Sequence, residues 1–269
     1  MATHKDHWDD LLWGVPPNQE KLEEGWEAFH ENSKLCRSDR YLSQTYVLQM
    51  MNQLALSIEY GRGTRIPLPE ELYSLDISLG EVIKKRRTAR YLSSIPLSFK
   101  EIATLLHYAY GVTKSSTTTP FRAVPSGGAL YPLEVYFQVL NSEDLELGLY
   151  HYNPIRNSIF LLESEEDFGS IADHIVFKEI ADGASLIFFI AASFKKSTFK
   201  YNERGYRFIL MEAGHLMQNI NLTATALGLE LALLGGFFDR EIDDRLHFDG
   251  INQSTIYIGA VGGKGRPPS

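Results

Sequence analysis

The chain has 269 residues, 44% hydrophobic and 22% charged, with 26 lysines and arginines against 34 aspartates and glutamates, a formal net charge of −8. Such a composition suits a globular protein of one large or two small domains, and its acidity argues against nucleic acid or an anionic membrane as the main partner. The single cysteine, Cys36, excludes an intramolecular disulfide and a thiolate cluster and fits a reducing cytoplasm.

Residues 1–10 are polar and charged where a secretion signal needs an apolar stretch, so no export signal is expected. Helical spacing at Leu22, Trp26 and Phe29, and again at Leu42, Tyr46, Leu48 and Met51, marks residues 1–75 as an N-terminal helical extension. The stretch 61–69, with two glycines and two prolines, reads as its linker, and residues 76–269 read as one domain. Ser78 is placed to cap a helix through Leu79, Val82 and Ile83. Ser98 with Glu101 forms a capping box for a helix over Ile102, Leu105, Leu106 and Tyr110, stopped at Gly111. The Ser/Thr run 114–119 reads as a loop. Strand density marks 133–140, a hairpin over 148–162 around Asn153-Pro154, and 186–192 (LIFFIAA), which is far shorter than the roughly 20 residues of a membrane span. From near Glu203, Tyr206, Ile209, Leu210, Ala213, Leu216, Met217, Ile220, Ala224 and Leu227 follow at helical spacing, so a long central helix is expected, ending at Gly228. Strands at 229–234 and 255–261 enclose a short helix capped by Asp239, and the mixed order implies an α+β sheet domain.

Common signatures are missing: no G-x-G-x-x-G after a strand, no G-x-x-x-x-G-K-[ST], no H-E-x-x-H and no G-x-S-x-G. A Rossmann dehydrogenase and a P-loop hydrolase are therefore disfavoured. Lys84, Lys85, Arg86, Arg87 and Arg90 place five cations in seven residues of an acidic chain. If the preceding helix continues, Arg86 and Arg90 share a face and can grip one phosphate; taken alone, the run reads better as a solvated helix end. Residues 122–132 (RAVPSGGALYP) put a glycine pair after a serine, a loop able to approach a flat or anionic ligand or simply to make a tight turn. Gly235-Gly236-Phe237 ends a strand with the same two readings. Lys200-Tyr201 suits proton abstraction beside a carbonyl, although an exposed Lys-Tyr pair without a role is commoner. His215 reads as a core histidine with one hydrogen bond.

In their joint order these features resemble the SagB-type dehydrogenases, the azoline oxidases of the FMN-dependent nitroreductase-like superfamily. The likeness is carried by Arg86-Arg87-Thr88-Ala89-Arg90, the loop PSGGALYP at 125–132, Gly148-Leu149-Tyr150-His151-Tyr152, Lys200-Tyr201 with Glu203-Arg204-Gly205-Tyr206-Arg207, Glu212-Ala213-Gly214-His215 and Gly235-Gly236-Phe237. It runs from about residue 79 to 266, with a weaker match at 26–35 (WEAFHENSKL). The resemblance implies a three-layer α/β/α sandwich with a mostly antiparallel central sheet, and one FMN per protomer at a homodimer interface. Carried over by position, Arg86, Thr88 and Arg90, in one cluster with Arg87, would hold the phosphate or ribityl chain together with Lys264 and Arg266. Pro125, Ser126, Gly127, Gly128 and Leu130 would border the flavin, the partner chain being one source, and Gly235 and Gly236 would meet the ring edge. Lys200 and Tyr201 match the catalytic pair, with either as the base.

The implied reaction oxidises thiazoline or oxazoline rings, made in a precursor peptide by a cyclodehydratase, to thiazole or oxazole, with O2 as acceptor, in the biosynthesis of a ribosomal peptide natural product. That chemistry asks for a base at a Cα–H acidified by carbonyl and imine and for a two-electron acceptor. A homodimer in the cytoplasm, joined by azoline peptide and a cyclodehydratase complex, is expected; nucleic acid, membrane and metal are not. Two alternatives stand beside it, an NAD(P)H-dependent flavin or nitro reductase and a flavin-free scaffold for a cyclodehydratase.

Overall fold

The computed structural model describes residues 25–39, 42–61, 63–115 and 120–266. The chain divides into two units, residues 1–39 and 40–269. In the first, α1 (Gly25–Asn32) ends at Ser33, whose N–H and hydroxyl both donate to the Phe29 carbonyl. Residues 1–10, Leu22 and residues 116–119 of the expected loop lie outside the described residues.

The second unit is organised by one sheet. Its strands in chain order are β1 (Thr64–Pro67) and β2 (Leu92–Ser93), then, after a separate ribbon of β3 (Val112–Lys114) and β4 (Phe121–Arg122), β5 (Leu133–Val139), β6 (Gly148–Asn153), β7 (Ser158–Ser164), β8 (Leu186–Ser193), β9 (Glu230–Leu234) and β10 (Gln253–Lys264). The order across the sheet is β1-β7-β6-β5-β8-β10, every pair antiparallel, and the far edge of β10 is shared by β9 and, at Gly263 and Lys264, by β2. The helices are α2 (Gln44–Gln53), α3 (Leu79–Lys85), α4 (Phe99–Tyr110), α5 (Glu165–Phe168), α6 (Lys178–Asp182), α7 (Lys195–Tyr201), α8 (Glu203–Ala226) and α9 (Asp239–Arg245).

Strands β5 and β8 are buried on both faces, β8 almost wholly apolar and β5 carrying Glu134 and Gln138 on the face of Tyr136. Val135, Phe137, Phe188 and Ile190 pack with Leu105 and Leu106 of α4 and Leu216 and Ile220 of α8. Tyr136, Ile187 and Phe189, on the opposite face, pack with Phe168, Ile175 and Ile242. The result is the expected three-layer sandwich, and each fully buried phenylalanine contributes about 1.5–3 kcal/mol of apolar transfer. No helix among the described residues is long and apolar enough to cross a membrane.

Local signals were kept where they are local. Ser98 and Glu101 close both halves of the capping box, at 3.2 and 2.8 Å. Gly228, at φ 77°, follows the last turn of α8. Four readings change. The stretch expected as a linker holds β1, an edge strand paired with β7 whose exit residue Leu68 is buried in the core. Asp239 opens α9 from inside its first turn, where a carboxylate complements the helix dipole, and is not the N-cap, which is Phe238. His215 is exposed on α8, not in the core. Helix α3 stops at Lys85, so Arg86 and Arg90 do not share a helical face. Beyond the stop, the Arg87 guanidinium donates to the carbonyls of Lys84 and Arg86, and Ala89 donates its N–H to Leu231 of β9.

Candidate functional site

Two clusters of chemistry-bearing residues form, and β10 separates them. The first is the loop 122–132 with α7. Ser126 closes the loop, its carbonyl accepting the Ala129 N–H at 3.0 Å and its hydroxyl oxygen the Tyr131 N–H at 2.9 Å. Gly128 has φ 68°, and a Cβ built there would stand 2.5 Å from Tyr201 Oη and 2.8 Å from Lys200 Nζ. A side chain there would be strained by the positive φ and would displace those two groups. Gly127 lies against the Phe208 ring, which itself meets the Tyr201 ring edge-on with centroids 5.0 Å apart. Lys200 and Tyr201 are half-buried at the end of α7, a helix the sequence reading did not anticipate. The turn at Asn202 and the close approach of Gly205 to Ser197 fold α7 back against α8. Pro125 is exposed and Leu130 is buried.

The second cluster sits where β2 meets β10. Lys264 pairs with Leu92, and a Cβ on Gly265 would strike the Tyr91 backbone at 2.5 Å, so the segment after Arg90 runs tightly beside Lys264 and Gly265. Thr88 bridges to Leu231 of β9, which ends at Leu234, just before Gly235 and Gly236. Arg90, Lys264 and Arg266 are exposed and Arg86 partly so, and among the described residues none of the four forms an ion pair. Gly235 has nothing within 4 Å of where a side chain would stand. Arg87 differs from its neighbours, since its guanidinium is occupied by the end of α3.

Helix α7 leaves the sheet beside Gln253, the first residue of β10, which pairs with Ser193, whereas the cations stand at Lys264, the last. At the rise of an extended strand those ends are about 35 Å apart. A hollow of about 500 Å³, lined among others by Gln138, Glu165 and Asp182, touches neither cluster.

Sequence reasoning missed a buried polar layer under the loop. Glu134 accepts from Ser57 Oγ at 3.0 Å and Lys196 Nζ at 3.1 Å and shares a hydrogen bond with His151 Nε2 at 3.0 Å. Burial works to raise its pKa, but the His151 hydrogen bond and the charges of Lys196, His151 and Arg122 hold the carboxyl down at about 2. The Arg122 guanidinium lies between the rings of Tyr110 and Tyr131, 4.5 and 4.7 Å from their centroids, and donates to the Leu56 carbonyl. Glu212 accepts the Tyr110 hydroxyl at 2.9 Å. Burial pushes its carboxyl up to about 7, against the pull of the Ser126 and Tyr110 hydroxyls and of Arg122 and Lys196. Its signal was present in the sequence as a carboxylate on the apolar stripe of Ile209, Ala213 and Leu216.

Residues 83–263 match the model of the nitroreductase family. The nitroreductase-like protein MJ1384 of Methanocaldococcus jannaschii is 39% identical over 189 residues, 70% of this chain and 92% of its own. The microcin B17-processing protein McbC of Escherichia coli is 31% identical over 166 residues, 57% of each chain. A solved nitroreductase-like structure from Anabaena variabilis superposes with a TM-score of 0.70 at 26% identity, over 87% of this chain and 45% of that one. The chain thus spans little more than half of McbC and less than half of the Anabaena protein.

Proposed function

The chain belongs to the nitroreductase family, and on that premise we propose that it is an FMN-dependent oxidoreductase that converts thiazoline or oxazoline rings of a peptide to thiazole or oxazole, with O2 as electron acceptor, in the maturation of a ribosomal peptide natural product. The observation that carries this reading is the packing of Gly128 on Lys200 Nζ and Tyr201 Oη, which gathers at one point the loop and the Lys-Tyr pair of the azoline-oxidising branch. The likeness to McbC, a protein that processes a microcin, supports the same choice.

The residues present fit FMN. Arg86, Thr88, Arg90, Lys264 and Arg266 would hold its phosphate and ribityl chain, since the segment after Arg90 runs beside Lys264 and Gly265 and the four cations form no ion pair among the described residues. Arg87, engaged at the end of α3, would take no part. Gly235 and Gly236 would meet the ring edge, where Gly235 leaves open space. Pro125, Ser126, Gly127, Gly128 and Leu130 would border the ring from a second copy, because one mononucleotide is too short to join both ends of β10 in one chain. A homodimer also explains the exposed Leu210 and Met211 on α8 and Leu79 and Ile83 on α3, each more than a third exposed.

Bound FMN supplies the two-electron acceptor. Lys200 and Tyr201 do the proton chemistry: one takes the acidified ring Cα proton, and the other orients and polarises it. A cyclodehydratase, which makes the azoline, is the partner this reaction requires, in a reducing cytoplasm that keeps the exposed Cys36 a thiol. Mass spectrometry of a synthetic thiazoline peptide incubated with the FMN-loaded protein and air tests the reading: each ring loses two hydrogens. An unchanged peptide, together with anaerobic bleaching of the flavin by NADPH, would make the protein a reductase; a chain that takes up no FMN would make it a scaffold.

A further inference from the structure

Residues 56–60 (LSIEY) join α2 to β1 without helix or strand of their own, and they precede the family match, which begins at residue 83. Backbone without a ladder is held by whatever side chains it meets. Here two of those bonds lead to the Lys200–Tyr201 pair. The Leu56 carbonyl accepts from the Arg122 guanidinium. The Arg122 backbone N–H donates to Tyr131 Oη at 3.1 Å, and the Tyr131 N–H donates to Ser126 Oγ, closing the loop that lays Gly128 on Lys200 Nζ and Tyr201 Oη. Ser57, 5% exposed, reaches the pair from the other side. Its hydroxyl donates to Glu134 Oε2 at 3.0 Å, an oxygen that also shares a hydrogen bond with His151 Nε2. These two bonds fix the plane of the carboxylate and turn Oε1 to Lys196 Nζ, 3.1 Å away and one helical turn before Lys200 in α7.

We propose that Ser57 is a positioning residue for the Lys200–Tyr201 pair, fixing the Glu134 carboxylate that in turn fixes α7 through Lys196. This role rests on the reading of Lys200 and Tyr201 as the proton-transferring groups. Segment 56–60 thus works as a strap across the site, with Leu56 on the glycine loop through Arg122 and Ser57 on α7 through Glu134. Loss of the Ser57 hydroxyl leaves Glu134 Oε2 with one of its two hydrogen bonds, so the carboxylate gains freedom and Lys196 loses a fixed anchor. Glu59 supplies the contrast within the same strap. Its carboxylate meets only the exposed Arg156, at 2.9 Å, and has no path of bonds to α7.

Amide hydrogen exchange in the full-length chain tests this without a substrate. Ser57→Ala is expected to speed exchange across α7 by about 10-fold and to leave α3 at the wild-type rate, while Glu59→Gln changes neither. In a Lys196→Met background, where the link is already cut, adding Ser57→Ala should have no further effect on α7. Three results overturn the proposal, whatever the enzyme's substrate: wild-type exchange at α7 in Ser57→Ala, an equal rise in Glu59→Gln, or an undiminished effect in the Lys196→Met background. A rise in Ser57→Ala that extends to α3 also overturns it, making Ser57 a residue of general stability. With FMN and a synthetic thiazoline peptide, kcat in Ser57→Ala is expected to be about 10- to 100-fold lower with KM unchanged. A change confined to KM would make the strap a substrate-binding segment and overturn the positioning role. A wild-type chain that holds FMN but never oxidises the peptide overturns the functional reading, while the exchange at α7 still decides whether Ser57 holds that helix.

Discussion

At the Lys264 end of β10 the cations are exposed or partly so and form no ion pair among the described residues, whereas at the Gln253 end Glu134, His151 and Arg122 are buried, Lys196 nearly so, and all are bound to one another or to backbone. The two arrangements serve different purposes. Exposed, unneutralised charge is available to an outside anion and contributes little to folding. Buried charge is expensive unless it is paired, and once paired it fixes the position of whatever carries it. Here it fixes α7, since Lys196 is one helical turn from Lys200. One end of the sheet is thus suited to gripping a ligand and the other to holding its groups still, and under the proposed function two copies of the chain bring both to one flavin.

Perturbing each end separately should break different properties. Arg86→Ala with Arg90→Ala removes two charge-assisted contacts of about 1.5–3 kcal/mol each, so FMN binding should weaken by more than about 100-fold. Fluorescence titration with FMN measures this, and the urea midpoint should stay where it is. Glu134→Ala leaves the buried His151 and the nearly buried Lys196 without their partner and should cost about 3–5 kcal/mol in urea unfolding. A loss below 1 kcal/mol would show that the buried layer is not what anchors α7.

The buried carboxyls should also separate by pH. Glu212, raised in the fold, favours folding below its ordinary value near 4.5, and that contribution is lost as pH rises through about 7, some 3 kcal/mol in all. Glu134, held low, does the reverse: its contribution is present above about 4.5 and lost as pH falls toward 2. Unfolding of wild type and Glu212→Gln at pH 5 and pH 8 isolates the first effect, which should be absent from the variant. The smallest expected change is Gly128→Ala, whose positive φ and close neighbours should cost about 1–3 kcal/mol of stability. Its turnover should fall further than that loss implies, because the new methyl displaces Lys200 and Tyr201.

What was legible in advance divides along the same physical line. The Ser98–Glu101 box and Gly228 are decided within one turn of chain, and both are found where the pattern puts them. The β1 strand was hidden because an edge strand with proline and flanking glycines is indistinguishable from a linker until β7 pairs with it. Whether Arg86 and Arg90 share a helical face was open for a related reason: the bridge from Thr88 to Leu231, 143 positions later, lies outside any local pattern, and the helix ends at Lys85. Of the candidate site, the glycines, the cations and the Lys-Tyr pair are expectations read from the chain, and the fold adds that Gly128 lies against Lys200 and Tyr201. Glu212 could not be given a role, since its partner Tyr110 is 102 residues away and only the fold brings them together.

The proposed function requires the two ends of β10 to meet between chains. Lys200→Ala and the Arg86→Ala, Arg90→Ala pair should each be inactive alone on a thiazoline peptide. Unfolded together, refolded and supplied with FMN, they should form mixed dimers with one intact site, and loss of two hydrogens per ring should return at about a quarter of the wild-type rate, half of the dimers being mixed and half of their sites whole. A mixture no more active than either parent would contradict the account.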